Sequence, residues 1–129
     1  GKGSERILYP IFATKIKHNK QIIVNNKFSK FNNLIHIDDL IYFIVNIIEN
    51  KKINKNYIFN LSSKDPIKII SLVNFIYKLL NKNKDIKWIN KKQNNSFIIS
   101  NEKAIKFGYK PLTVKNAIKK YINFSSFTF

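Results

Sequence analysis

Few residues in this 129-residue chain could do chemistry, and three of them fall together in "FNNLIHIDDL", residues 31–40. His36, Asp38 and Asp39 could supply half of a metal site or an acid/base pair, or they could mark a strand handing over to a capped helix. Catalysis by this trio would need a nucleophile or further ligands, and the sequence offers little to recruit. It has no cysteine, which excludes disulfides, thiolate nucleophiles and cysteine-ligated zinc or iron–sulfur centres. His18 is the only other histidine, and there are seven acids in all. The residues by themselves leave the three readings open, with no partner in sight for the catalytic one.

The balance of charge is extreme, with 24 lysines and arginines giving a formal net charge of +17. Such a surplus first suggests phosphate and hence nucleic acid. Arg6, however, is the only arginine. Base readout and planar phosphate recognition favour the rigid arginine fork, whereas these lysines are scattered and accompanied by abundant asparagine and isoleucine. An AT-rich coding sequence produces that trio without selection for a basic patch, so a solvated lysine surface is expected and specific nucleic-acid binding is not. The longest apolar run, Leu40 to Ile48 with Asn46 inside it, falls short of the ~18 residues of a membrane span. The expectation is a soluble, cytoplasmic chain.

Spacing of apolar residues places the elements that must hold these side chains. Residues 4–19 carry Ile7, Ile11, Phe12 and Ile16 as a helical stripe, with Ser4 available as a cap and Pro10 arguing for an irregular start. Residues 21–24 ("QIIV") and 34–37 ("LIHI") read as short strands. Leu40, Phe43, Ile44, Ile47 and Ile48 mark a helix beginning at the paired aspartates. A strand is expected at 56–61 ("NYIFNL") and a helix along Ile69, Leu72, Val73, Ile76 and Leu80. Further strands are expected in "DIKWIN" and "SFIIS". A short helix in "NEKAIKFG" stops at Gly108, and Thr113 caps a last helix carrying Val114, Ala117, Ile118 and Tyr121. The order is that of an α/β chain, α+β-like when isolated, with short strands and four to five helices in one domain over residues 1–129.

Four of these segments, in order, resemble the C-terminal substrate-binding part of the NAD-dependent epimerase/dehydratase family, the extended short-chain dehydrogenases/reductases. "GKGSERILYPIFATKI" is similar to the stretch that carries a substrate-binding helix. "QIIVNNKFSKFNNLIHIDDLIYFIVNII" resembles the family's "I.VYGDG...RDFIHVDDLA.AI...L" without a gap. "YIFNLSSKDPIKIISLVNFIYKLL" and "ISNEKAIKFGYKPLTVKNAIKKYI" resemble the two motifs that follow. The resemblance implies a lobe that grips a nucleotide sugar, serving an epimerase, dehydratase or reductase of surface polysaccharide synthesis with NAD or NADP as cofactor. It also implies structural roles for the opening trio: Asp38 ends a strand and caps the following helix with its carboxylate, Asp39 adds charge to the first turn, and His36 is a buried, hydrogen-bonded histidine.

The resemblance also shows what these residues lack. The family binds its dinucleotide on a glycine-rich turn, and here the glycines are Gly1, Gly3 and Gly108 only. The family's Tyr-x-x-x-Lys pair is missing as well, since no lysine stands four residues after any of the six tyrosines. The Rossmann core is thus absent from this stretch. The resemblance implies a C-terminal fragment, or a separately made lobe, that is catalytically silent without a dinucleotide-binding N-terminal domain. It would expose an apolar patch through which two copies could also pair.

By position, the resemblance assigns substrate contacts to Leu8, Ile23 and Asn25. Asn32 stands where the family commonly places an arginine on the diphosphate, and an amide cannot supply two charge-assisted bonds. Arg6, Lys30 and Lys92 are the candidates to replace it, with a further basic contact expected at Lys91 or Lys92. Lys68 occupies the usual serine or threonine cap of the helix after "SSKDPIKI", which predicts fraying there costing on the order of 1 kcal/mol. The competing reading is a stand-alone module binding RNA or another polyanion, with Phe28, Phe31, Tyr57, Phe59 and Trp88 as stacking platforms.

Overall fold

The computed structural model describes residues 8–50, 55–89 and 96–125. Along the chain run α1 (Leu8–Lys17), β1 (Ile22–Asn25), β2 (Lys30–Phe31), α2 (Ile37–Asn50), β3 (Ile67–Lys68), α3 (Ile69–Leu80), β4 (Ile86–Ile89), α4 (Glu102–Lys106) and α5 (Val114–Ser125). The chain is a mixed α/β protein with short strands, and its packing gathers into two compact units. Among the described residues one comprises 8–29, 68–89 and 96, the other 30–50, 55–67 and 97–125.

In the first unit β1 and β4 pair in parallel, Ile22 with Ile86 through Asn25 with Ile89. Residues alternate in and out along β1, so Ile22 and Val24 are buried while Ile23 and Asn25 face outward. Helices α1 and α3 pack together. Phe12 and Ile16 from α1 and Leu72, Val73 and Ile76 from α3 supply the apolar core, each at successive turns of its helix. The Tyr77 hydroxyl ties α3 to the start of β4, donating to Asp85 O at 3.1 Å and accepting from Asp85 N at 3.2 Å.

Pro10 lies in the first described turn of α1. Lys68 is the N-cap of α3 and makes no side-chain cap, as its type dictates. The fraying expected there is countered by neighbouring backbone: Ile69 N donates to Ser29 O at 3.0 Å and Ile70 N to Lys27 O at 2.9 Å. Carbonyls of the loop after β1 thus do the work of the missing hydroxyl.

The second unit is built around α2, α4 and α5. Phe43, Ala104 and Tyr109 form a buried cluster against which Ile47, Phe59, Leu61 and Phe107 pack. Phe43 meets Phe59 and Tyr109 edge-on, both with ring centroids 5.3 Å apart. From α5, Val114, Ala117 and Ile118 are buried. Thr113 caps α5 as expected, its Oγ1 accepting from Asn116 N at 3.1 Å. Gly108 ends the α4 turn with φ of +98°, a conformation open to glycine and costly for other residues.

Three expected strands differ. Residues 34–36 form no strand and Ile37 already belongs to α2; residues 56–61 form no strand; and "SFIIS" is reduced to one bridge between Phe31 and Phe97. Their polar groups are satisfied singly instead, as when Ser63 N donates to Leu34 O at 2.7 Å.

Candidate functional site

The "HIDD" corner resolves into a helix start whose cap is His36 and not Asp38. Asp39 N and Leu40 N both donate to His36 O, at 3.0 and 3.3 Å. His36 Nδ1 accepts from Asp38 N at 3.2 Å, so the side chain as well as the carbonyl serves the first turn. Asp38, expected to cap, is instead exposed in the first turn. Its carboxylate lies 3.8 Å from Lys120 Nζ, an exposed pairing of little energetic worth. Asp39 reaches further, accepting from Leu112 N at 3.0 Å and so pinning the segment before α5. The expected burial of His36 is partial, with 16% of its side chain exposed. It opens onto a cleft of about 390 Å³ lined by Leu34, Ile35, Ile37, Ala117 and Tyr121. Among the described residues no group of three histidines or acids could hold a metal ion.

Asn32 is the polar centre of the second unit. It is 3% exposed, and its side chain is used at both ends. Oδ1 accepts from Ile99 N at 2.9 Å, while Nδ2 lies within hydrogen-bond distance of Ser62 Oγ, Ser63 O and Ile99 O. An amide has two N–H donors, so none is left over for a phosphate. Tyr109 joins the same network by donating to Ser62 O at 3.1 Å. Burial, and then the Asp39 carboxylate, push its phenol up to about 12. The protonated phenol is favoured in the folded state. Its contribution is therefore complete below the ordinary tyrosine value near 10 and is lost as pH climbs toward 12. In Tyr109→Phe the fall of stability between pH 9.5 and 12, followed by urea denaturation, is expected to flatten; an unchanged slope would assign that fall to other groups.

Of the residues assigned to the substrate by resemblance, the first unit brings two together. Ile23 and Asn25 share the outward face of β1, and the register sets Lys87 and Ile89 of β4 beside them. Lys87 escaped the sequence reading, although the alternation of "IKWI" carried the signal: Lys87 is exposed between inward Ile86 and Trp88. Leu8 opens α1, its side chain lying outside the described residues, as do Arg6, Lys91 and Lys92. Lys30 is exposed on β2.

The aromatics weighed as stacking platforms divide. Tyr57 and Phe59 stack on one another at 6.0 Å and pack with Phe107, which makes them part of a cluster. Phe28 is half exposed, and the ammonium groups of Lys27 and Lys68 lie 4.9 and 5.7 Å from its ring centre.

The architecture is that of the C-terminal part of NAD-dependent epimerases and dehydratases. Solved structures with this fold include dTDP-glucose 4,6-dehydratase from Bacillus anthracis in complex with NAD, with a TM-score of 0.72 and 17% identity over 95% of this chain. UDP-glucose 4-epimerase from Thermotoga maritima with UDP-glucose matches with a TM-score of 0.75 and 13% identity over 95% of this chain. UDP-glucuronic acid 4-epimerase from Bacillus cereus, in complex with UDP-glucuronic acid and NAD, matches with 0.72 and 14% over 97%. In each case the chain spans only 40–41% of the solved one. No protein-family model matches the sequence, and no curated protein matches it. Among the described residues no helix is long and apolar enough to cross a membrane.

Proposed function

We propose that this chain is the nucleotide-sugar-binding part of an NAD- or NADP-dependent epimerase, dehydratase or reductase, catalytically silent until a dinucleotide-binding domain completes the cleft. The observation that carries this reading is the outward row Ile23, Asn25 and Lys87 on the parallel β1–β4 pair, in a fold shared with enzymes solved with UDP-glucose and with UDP-glucuronic acid. Ile23 offers an apolar edge and Asn25 an amide that both donates and accepts, a pair suited to a nucleobase. Lys87 supplies a cation for the diphosphate, which Asn32 does not. Leu8, Arg6, Lys91 and Lys92 complete the site by resemblance.

Calorimetric titration of the assembled enzyme with UDP- and dTDP-sugars tests the assignment. Lys87→Ala is expected to weaken binding about tenfold, the effect of one charge-assisted contact of ~1.4 kcal/mol. Lys20→Ala, another exposed lysine, is expected to leave it unchanged. Equal affinities for the Lys87 variant and the parent would remove Lys87 from the site. Failure of the parent to bind any nucleotide sugar would remove the reading.

A further inference from the structure

One turn of the first unit presents an aromatic ring outside the core. Ser29 N donates to Asn26 O at 2.9 Å, closing a turn whose central residues are Lys27 and Phe28, and Asn26 enters it with a left-handed φ of +53°. The turn is fastened to α3 from behind: Lys27 O accepts from Ile70 N at 2.9 Å and Ser29 O from Ile69 N at 3.0 Å. Phe28 stands at the tip, 50% exposed. Lys27 Nζ lies 4.9 Å from its ring centre and Lys68 Nζ 5.7 Å, so Lys68, which makes no side-chain cap on α3, brings a second cation to the ring. A second ring, half-buried Trp88, has its centre 6.0 Å from the Lys27 ammonium. The charge around this patch is one-sided. Among the described residues the unit holds nine lysines against one acid, Asp85, whose carboxylate already accepts from Gln21 Nε2 at 2.9 Å, whereas the other unit holds nine lysines against five acids.

We propose that this turn is a contact for single-stranded nucleic acid, in which a base stacks on the exposed ring of Phe28 while Lys27 and Lys68 pair with phosphates of the same strand. Nothing in the contact draws on the residues assigned above to a nucleotide sugar. Lys87 and Trp88 alternate along β4 and so face opposite ways. The chemistry selects the partner. Stacking needs a flat ring open to solvent, and the phosphates need cations on flexible stems beside it. An ammonium over an exposed ring is held weakly and passes to a phosphate at little cost. Lysines track phosphates without the bidentate arginine fork that reads base edges, so the contact is blind to sequence. A duplex, whose bases are already stacked on one another, would gain only the charge. A lipid surface would receive a single ring at the tip of the turn, too small an apolar area to anchor the chain.

Fluorescence anisotropy of the full chain with short labelled oligo(U) and oligo(dT) tests the contact. The parent is expected to bind both, with an affinity that falls as salt rises. Phe28→Ala is expected to weaken binding about tenfold and Phe28→Trp to preserve it, because what is lost is a stacking face and not a charge. Should Phe28→Ala fold poorly by circular dichroism, Phe28→Leu serves, keeping apolar volume without the flat ring, with the same expected loss. Lys27→Gln/Lys68→Gln is expected to lower the slope of log affinity against log salt by about 1.4, the share of two phosphate contacts on a single strand. Lys78→Gln/Lys84→Gln removes the same charge from exposed positions elsewhere in the unit and is expected to leave that slope nearly unchanged. Equal affinities for the parent and the Phe28 variants, or equal effects of the two lysine pairs, overturn the contact and leave a diffuse attraction to the net charge. Binding to phosphatidylglycerol vesicles that depends on Phe28, with oligonucleotide binding that does not, overturns it in favour of a lipid surface.

Discussion

Asn32→Asp is expected to destabilise the second unit by about 3–5 kcal/mol at pH 8, although it changes one atom. The carboxylate retains an acceptor for Ile99 N but loses both N–H donors. It would then face Ser63 O and Ile99 O, two carbonyl oxygens that each lose the Asn32 amide as donor, Ile99 O keeping only Ser62 Oγ, and that repel its charge. The site is 3% exposed, so water cannot take the place of the lost protons. The sign of the pH dependence follows. Burial and facing carbonyls favour the protonated acid, which still donates one bond, so the folded state holds the proton to higher pH than the unfolded chain. The deficit is therefore smaller at pH 4.5 than at pH 8. Urea denaturation at both pH values measures it, with the exposed neighbour substitution Asn33→Asp as the control. Equal losses for the two variants would show that the Asn32 network contributes nothing particular.

Phe43→Ala carries a comparable expected loss, about 3–5 kcal/mol, for a different reason. Its ring is 2% exposed and touches Phe59 and Tyr109 edge-on, so truncation leaves a cavity between α2 and those two rings. The next residue, Ile44, lies on the open side of the same helix, and Ile44→Ala is expected to shift stability by no more than about 0.5 kcal/mol. Against a total stability of about 5–15 kcal/mol, the first change should lower the thermal midpoint by many degrees and the second hardly at all. Comparable shifts for the adjacent pair would contradict a helix with one packed and one uncovered side.

The helices were readable because their information is local. The stripe from Ile69 to Leu80 coincides with α3, the Gly108 stop and the Thr113 cap stand where their residue types require, and β1 and β4 lie within a residue of "QIIV" and "DIKWIN". The expected strands at 34–37, 56–61 and 96–100 were not realised as ladders. Alternation of side chains shows that backbone is extended, but whether it finds a neighbouring strand depends on segments far away in sequence. Asn32 supplies Ile99 N with a side-chain acceptor instead.

What residue types alone determined was chemistry that is excluded and elements that must form: no thiolate or cysteine-held metal, no glycine-rich cofactor turn, a lysine surface, and helices at their proper places. That the segments add up to the α/β fold seen in part of the epimerase and dehydratase structures was visible only through the order of its motifs. Tertiary structure decided the roles. It moved the cap from Asp38 to His36, enclosed Asn32 among backbone partners, and set Lys87 beside Ile23 and Asn25. It also left one side of α2 uncovered. A side chain's type limits the bonds it can make, but which bonds it makes depends on what the rest of the chain brings within about three ångströms of it.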